Sequence, residues 1–105
     1  MVNYETIPKV MTLCESTRFK NQFLEVNKKL TLEGVIVLMP GVFAHNDDEK
    51  LTPEQKERLD LLHKRKIDLS DGIFVINVNG YIGESTQSEI EYAQQRRKIV
   101  EYYEK

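Results

Sequence analysis

Gly72-Ile73-Phe74-Val75-Ile76-Asn77-Val78, followed after a short break by Gly83-Glu84-Ser85-Thr86-Gln87-Ser88-Glu89-Ile90-Glu91-Tyr92-Ala93, decides how this chain folds. The first run has the length and apolar composition of a strand buried on both faces, and the second carries a helical pattern. A strand, a glycine-containing turn and a helix start therefore come in succession. In an open parallel α/β sheet, ligands bind where strand carboxyl ends meet helix amino ends. Ser85 and Thr86 are good N-cap residues; with Ser85 as the cap, Ser88 falls at N3 and Glu89 one residue further, inside the first turn. Free backbone N–H groups there favour negative charge, which makes Glu89 the candidate for chemistry. An acidic residue in a first turn also serves simply to complement the helix dipole, so other parts of the chain must carry weight.

Working outward, Val10-Met11-Thr12-Leu13-Cys14 reads as a short buried strand, with Pro8 tolerable only at its beginning. Ser16 and Thr17 follow as cap candidates, and Phe19, Phe23, Val26 and Leu30 recur at helical spacing. Gly34 ends that helix, and Val35-Ile36-Val37-Leu38-Met39 is the second buried strand. Residues 42–51 form a polar loop containing His45-Asn46-Asp47-Asp48-Glu49, too long for a tight connection. Thr52-Pro53-Glu54-Gln55 is a helix start with a cap, a first-position proline and a capping-box glutamine. Leu59, Leu62 and Lys66 share one face of this helix, with Leu69 close by. Lys98-Ile99-Val100-Glu101-Tyr102-Tyr103 completes the alternation as an edge strand. The order β-α-β-α-β-α-β predicts a three-layer α/β domain, flavodoxin-like, whose parallel sheet of about four strands runs in the order 2-1-3-4.

The length of 105 residues sets the expectation of a single domain over 1–105. With 40 % hydrophobic and 30 % charged residues and a net charge of -2, the chain has the composition of a globular protein without a basic field. Neither nucleic acid nor a membrane surface is an expected partner. The basic clusters Lys64-Arg65-Lys66 and Arg96-Arg97-Lys98 read as solvated helix ends. Cys14 is the one cysteine, which fits a reducing compartment. No charged-then-apolar leader opens the chain and no apolar run approaches membrane-spanning length, so the expected location is cytoplasmic. His45, Asp47, Asp48 and His63 match no compact zinc or calcium spacing, and neither a metal nor another cofactor is expected.

Three pieces, taken together, resemble the nucleoside 2-deoxyribosyltransferase-like superfamily, which includes the 2'-deoxynucleoside 5'-phosphate N-hydrolases. They are Leu13-Cys14-Glu15-Ser16-Thr17-Arg18-Phe19 after the first strand, Asp68-Leu69-Ser70-Asp71 before the third, and Gly83-Glu84-Ser85-Thr86 through Ser88-Glu89-Ile90-Glu91-Tyr92-Ala93 after it. Their order covers nearly the whole chain. The resemblance implies cleavage or transfer at the N-glycosidic bond of a (deoxy)nucleoside or its 5'-monophosphate, with Glu89 as the nucleophile that attacks C1'. It implies that Asp71 orients the substrate and handles the proton near the base, and that Ser16 and Arg18 line the sugar and phosphate end. Gly83, Ser85 and Ser88 join them as candidate substrate-binding residues at the helix start.

Physical chemistry explains such a set. Breaking a C1'–N bond builds oxocarbenium character on the sugar, which a close carboxylate captures, while the departing base must be protonated or hydrogen-bonded. Glu15 stands where the family has glycine; its charge would repel a 5'-phosphate, which favours a nucleoside over a monophosphate. The chain stops after its fourth strand, so a homodimer or higher homo-oligomer is expected to complete the pocket. The alternative from the same residues is a non-catalytic nucleotide-binding module of the same fold.

Overall fold

The computed structural model describes residues 6–15, 20–39 and 51–104. Four strands and three helices alternate: β1 (Val10–Glu15), α1 (Lys20–Leu32), β2 (Ile36–Leu38), α2 (Pro53–Asp68), β3 (Gly72–Ile76), α3 (Glu84–Gln95) and β4 (Ile99–Tyr102). The strands are all parallel and lie in the order β2-β1-β3-β4, as the sequence predicts for a flavodoxin-like three-layer domain. The polar loop 42–51 lies, apart from Leu51, outside the described residues.

Alternation along the strands sorts the core into two layers. Leu13 and Ile76 face α1 and pack on Phe23, Val26 and Leu30. Cys14, Ile73 and Val75 face the other way, against Ile67 of α2 and Ile90 and Ala93 of α3. The apolar stripe predicted for α1 is thus its buried face, and Gly34, at φ 89°, ends that helix with Val35 N–H donating to Leu30 O at 3.0 Å. Strand β3 stops at Ile76, two residues before the apolar run does, because its partner β1 ends there: Glu15 is level with Ile76. A 3-10 turn over Val78–Gly80 follows, with Asn79 at φ 56° and Gly80 at φ 76°. Buried Asn77 then extends the sheet with its side chain, donating to Glu104 O and accepting from Glu104 N–H.

The capping box of α2 forms as expected, with Gln55 N–H donating to Thr52 Oγ1 at 3.1 Å and Thr52 N–H donating to Gln55 Oε1 at 2.9 Å. Thr52→Ala should cost about 1 kcal/mol and lower the melting temperature by roughly 4 °C, while Thr52→Ser should be close to neutral in the same thermal scan. The buried face of α2 is not the predicted one. His63 and Ile67 point into the core, whereas Leu62 and Leu69 are exposed. Lys66 is half-buried and donates from Nζ to Met39 O at 2.6 Å.

The carboxyl end of α2 is held by charge. Lys98 Nζ donates to the carbonyls of Asp68 and Ser70, at 3.2 and 2.8 Å, where the helix leaves acceptors without partners. Tyr92 OH donates to the Asp68 carboxylate at 2.9 Å, and this bond, with help from Arg65 and Arg96, holds the Asp68 carboxyl below its ordinary range. A depressed carboxyl stabilises the fold above its unfolded value and loses that contribution as pH falls through the folded value. Tyr92→Phe should therefore lower stability at neutral pH, and the gap to the unsubstituted protein should close below about pH 4, measured by thermal scans across pH.

Candidate functional site

The chain leaves β1 through α1 to reach β2 on one side, then through α2 to reach β3 on the other. The carboxyl ends of β1 and β3 therefore form the topological switch point, where α/β sheets place their ligands. Three buried polar side chains meet there. Cys14 is the penultimate residue of β1, His63 comes from the middle of α2, and Glu89 from the second turn of α3. Their exposures are 1 %, 8 % and 6 %, so all three are withdrawn from water.

His63 Nε2 donates to Glu89 Oε2 at 2.8 Å, and Cys14 Sγ lies 3.4 Å from the same nitrogen. With the carboxylate as acceptor, Nε2 carries the proton in this arrangement. His63 Nδ1 is buried and finds no hydrogen-bond partner among the described residues. Burial pushes the Cys14 thiol well up, and the neighbouring Glu89 charge and the thiol's donation to that carboxylate push it the same way. Cys14 is therefore a neutral thiol and not an activated nucleophile. A cysteine–histidine relay would place the thiol on one ring nitrogen and the carboxylate on the other; here both press on Nε2. The arrangement is instead a carboxylate oriented by two donors.

The helix that carries Glu89 starts earlier than expected. Gly83 is the N-cap of α3, with no side-chain capping bond, in place of Ser85. Glu89 consequently sits at the sixth helical position, outside the first turn, and its environment is set by His63 and Cys14 more than by free backbone N–H groups. Ser85 is exposed in the first turn and Ser88 is half-buried immediately before Glu89. Gly83 stands near Tyr81, whose hydroxyl would lie 3.7 Å from a Cβ built there, so glycine is not sterically demanded.

Asp71 lies elsewhere. Its carboxylate accepts from Val10 N–H at 2.8 Å, at the amino end of β1 and β3. Cys14 is four residues further along β1, about 13 Å at 3.3 Å per residue. The structure therefore does not bring Asp71 to Glu89. Ser16 and Arg18 lie outside the described residues.

His63 is the site residue that the predicted helix face missed. It lies four positions after Leu59 and four before Ile67, so a stripe drawn through Ile67 would have placed an imidazole on the buried side. Comparisons with protein families and with curated proteins find no match to this chain. Among the described residues, no helix is long and apolar enough to cross a membrane.

Proposed function

We propose that this chain cleaves or transfers the N-glycosidic bond of a (deoxy)nucleoside, or of its 5'-monophosphate, with Glu89 as the nucleophile. The observation that carries the reading is the position of the Glu89 carboxylate, buried at the switch point and held 2.8 Å from His63 Nε2. A carboxylate so held is ready to meet positive charge developing at C1' without reorganising, and weak solvation keeps it reactive. His63 acts as a positioning residue that fixes the attacking oxygen. Asp71 is too far along the sheet to assist directly, so the departing base takes its proton from water or another group. Ser88, one residue before Glu89, and Ser85 and Gly83 at the helix start are the described candidates for holding the sugar, joined from the sequence by Ser16 and Arg18, which lie outside the described residues.

A second reading is a binding module that holds a nucleoside or nucleotide without turnover. The depth of Glu89, at 6 % exposure, favours it, because a nucleophile must touch the sugar. Incubating the protein with deoxynucleosides, ribonucleosides and their 5'-monophosphates, with and without a free acceptor base, separates the two. Base release or exchange, followed by chromatography, is the expected result. Saturable binding without turnover would select the module.

The protein is further proposed to be cytoplasmic and to assemble as a homodimer or higher homo-oligomer. On the side of the sheet that α1 covers, a groove of about 610 Å³ reaches across Met11, Phe74 and Tyr103 beside the helix. A second copy that supplies the covering layer would bury these residues together with the charged side chains that line the same groove, Lys9, Glu25, Lys29, Glu33 and Glu101. Light scattering should give a mass of at least twice the 12.3 kDa chain.

A further inference from the structure

We infer that Cys14, His63 and Glu89 form a site for a single borderline-soft divalent cation, zinc being the natural occupant. The inference goes beyond the proposed glycosyl chemistry and does not depend on it. One ligand atom from each residue lies within 4.8 Å of the others, and the three residues come from three different elements of the rigid core. In a tetrahedral zinc site, bond lengths of about 2.3 Å to sulfur and 2.0–2.1 Å to nitrogen and oxygen set a sulfur–nitrogen separation of about 3.5 Å and a nitrogen–oxygen separation of about 3.3 Å. The observed separations are 3.4 Å and 2.8 Å. The sulfur–nitrogen edge is already the right length, and the other opens by about half an ångström on a side chain with three torsions.

Charge points the same way. Without a cation, Glu89 is a buried carboxylate that meets, among the described residues, the Cys14 thiol and the His63 ring. A dication removes the proton from Cys14 to solvent and shifts the imidazole proton from Nε2 to Nδ1. Thiolate and carboxylate then balance the two positive charges, and the site becomes neutral where water cannot solvate it. Thiolate and imidazole together select zinc over magnesium or calcium, and the carboxylate disfavours copper(I). Three protein ligands leave one position for a water or small ligand. A bound ion engages Glu89 Oε2 and draws off the charge of the carboxylate, so the zinc-loaded form is expected to be slower in glycosyl transfer than the metal-free form.

The test uses the intact chain with zinc and cobalt(II). Zinc should bind with a stoichiometry of one per chain by competition with a chromophoric chelator, releasing at least one proton per ion into a weakly buffered solution. Cobalt(II) should show a thiolate-to-metal charge-transfer band; with only one cysteine in the chain, that band reports Cys14 without any substitution. Cys14→Ser and His63→Gln should each weaken zinc binding by about 100-fold or more, and His45→Gln should leave it unchanged. Cobalt bound without the thiolate band, binding lost in His45→Gln, or no stoichiometric zinc binding would each overturn the inference. All of these are read without nucleoside, so failure of the glycosyl reading leaves them unaffected.

Discussion

Replacing Glu89 by glutamine should lower base release from the preferred nucleoside by about 10³-fold or more while the fold stays intact. A loss of that size corresponds to about 4 kcal/mol of transition-state stabilisation, which an oriented nucleophile can supply. Glutamine keeps the shape of the side chain, and its carbonyl oxygen can still accept from His63 Nε2, now 2.8 Å from the carboxylate. The exchange should therefore change stability by only about 1 kcal/mol. Glu89→Ala should abolish turnover as well, but it also leaves a cavity and strips a partner from buried His63 and Cys14. The glutamine variant is thus the cleaner comparison: thermal unfolding reports the fold and chromatography the chemistry. His63→Gln should reduce kcat by a smaller factor than either, because it removes the positioning of Glu89 and not the nucleophile.

The second large effect lies at Gly72. Its backbone is level with Met11 on one side and Ile99 on the other, and a Cβ built there would fall 2.4 Å from Ile99 O and 2.6 Å from Ile99 Cβ. Both contacts are too close to exist, and one is with backbone, so a rotamer change cannot relieve them. The edge strand β4 cannot simply slide away either, because Lys98 ties its start to α2 and Asn77 ties its end to Glu104. Gly72→Ala should destabilise the domain by about 3 kcal/mol, at the upper end of overpacking costs. For a chain of this size the melting temperature should fall by roughly 12 °C or more. Gly80→Ala, with open space around its Cβ but φ at 76°, should cost only about 1 kcal/mol. Equal melting temperatures for the Gly72→Ala and Gly80→Ala variants would contradict the β3–β4 packing described here.

Much of this fold was legible because its strands are uninterrupted apolar runs and its helices announce their ends. Gly34 and the Thr52–Gln55 box act locally, and local signals survive translation into sequence patterns. The start of α3 was misread by two residues because Gly83, Ser85 and Thr86 are all able to cap, and nothing in their order ranks them. The buried face of α2 was misread because its apolar side chains surround the helix: Leu61 and Leu62 are left outside while a histidine goes in. Glu89 was legible as a candidate, but its surroundings were not. Cys14 and His63 stand 49 positions apart, and only the crossover between strands brings both to one carboxylate. Asp71 sits beside the correct strand at the end remote from Glu89, a distinction that a strand boundary alone does not make.

A covalent bond between Glu89 and the sugar is detectable by intact-protein mass spectrometry of acid-quenched turnover mixtures. With the nucleoside that shows base release, a mass increase of one sugar residue is expected, mapped by proteolysis to the peptide carrying Glu89 and absent from Glu89→Gln. Base release that continues undiminished in Glu89→Gln, with no sugar adduct on the unsubstituted protein, would contradict it.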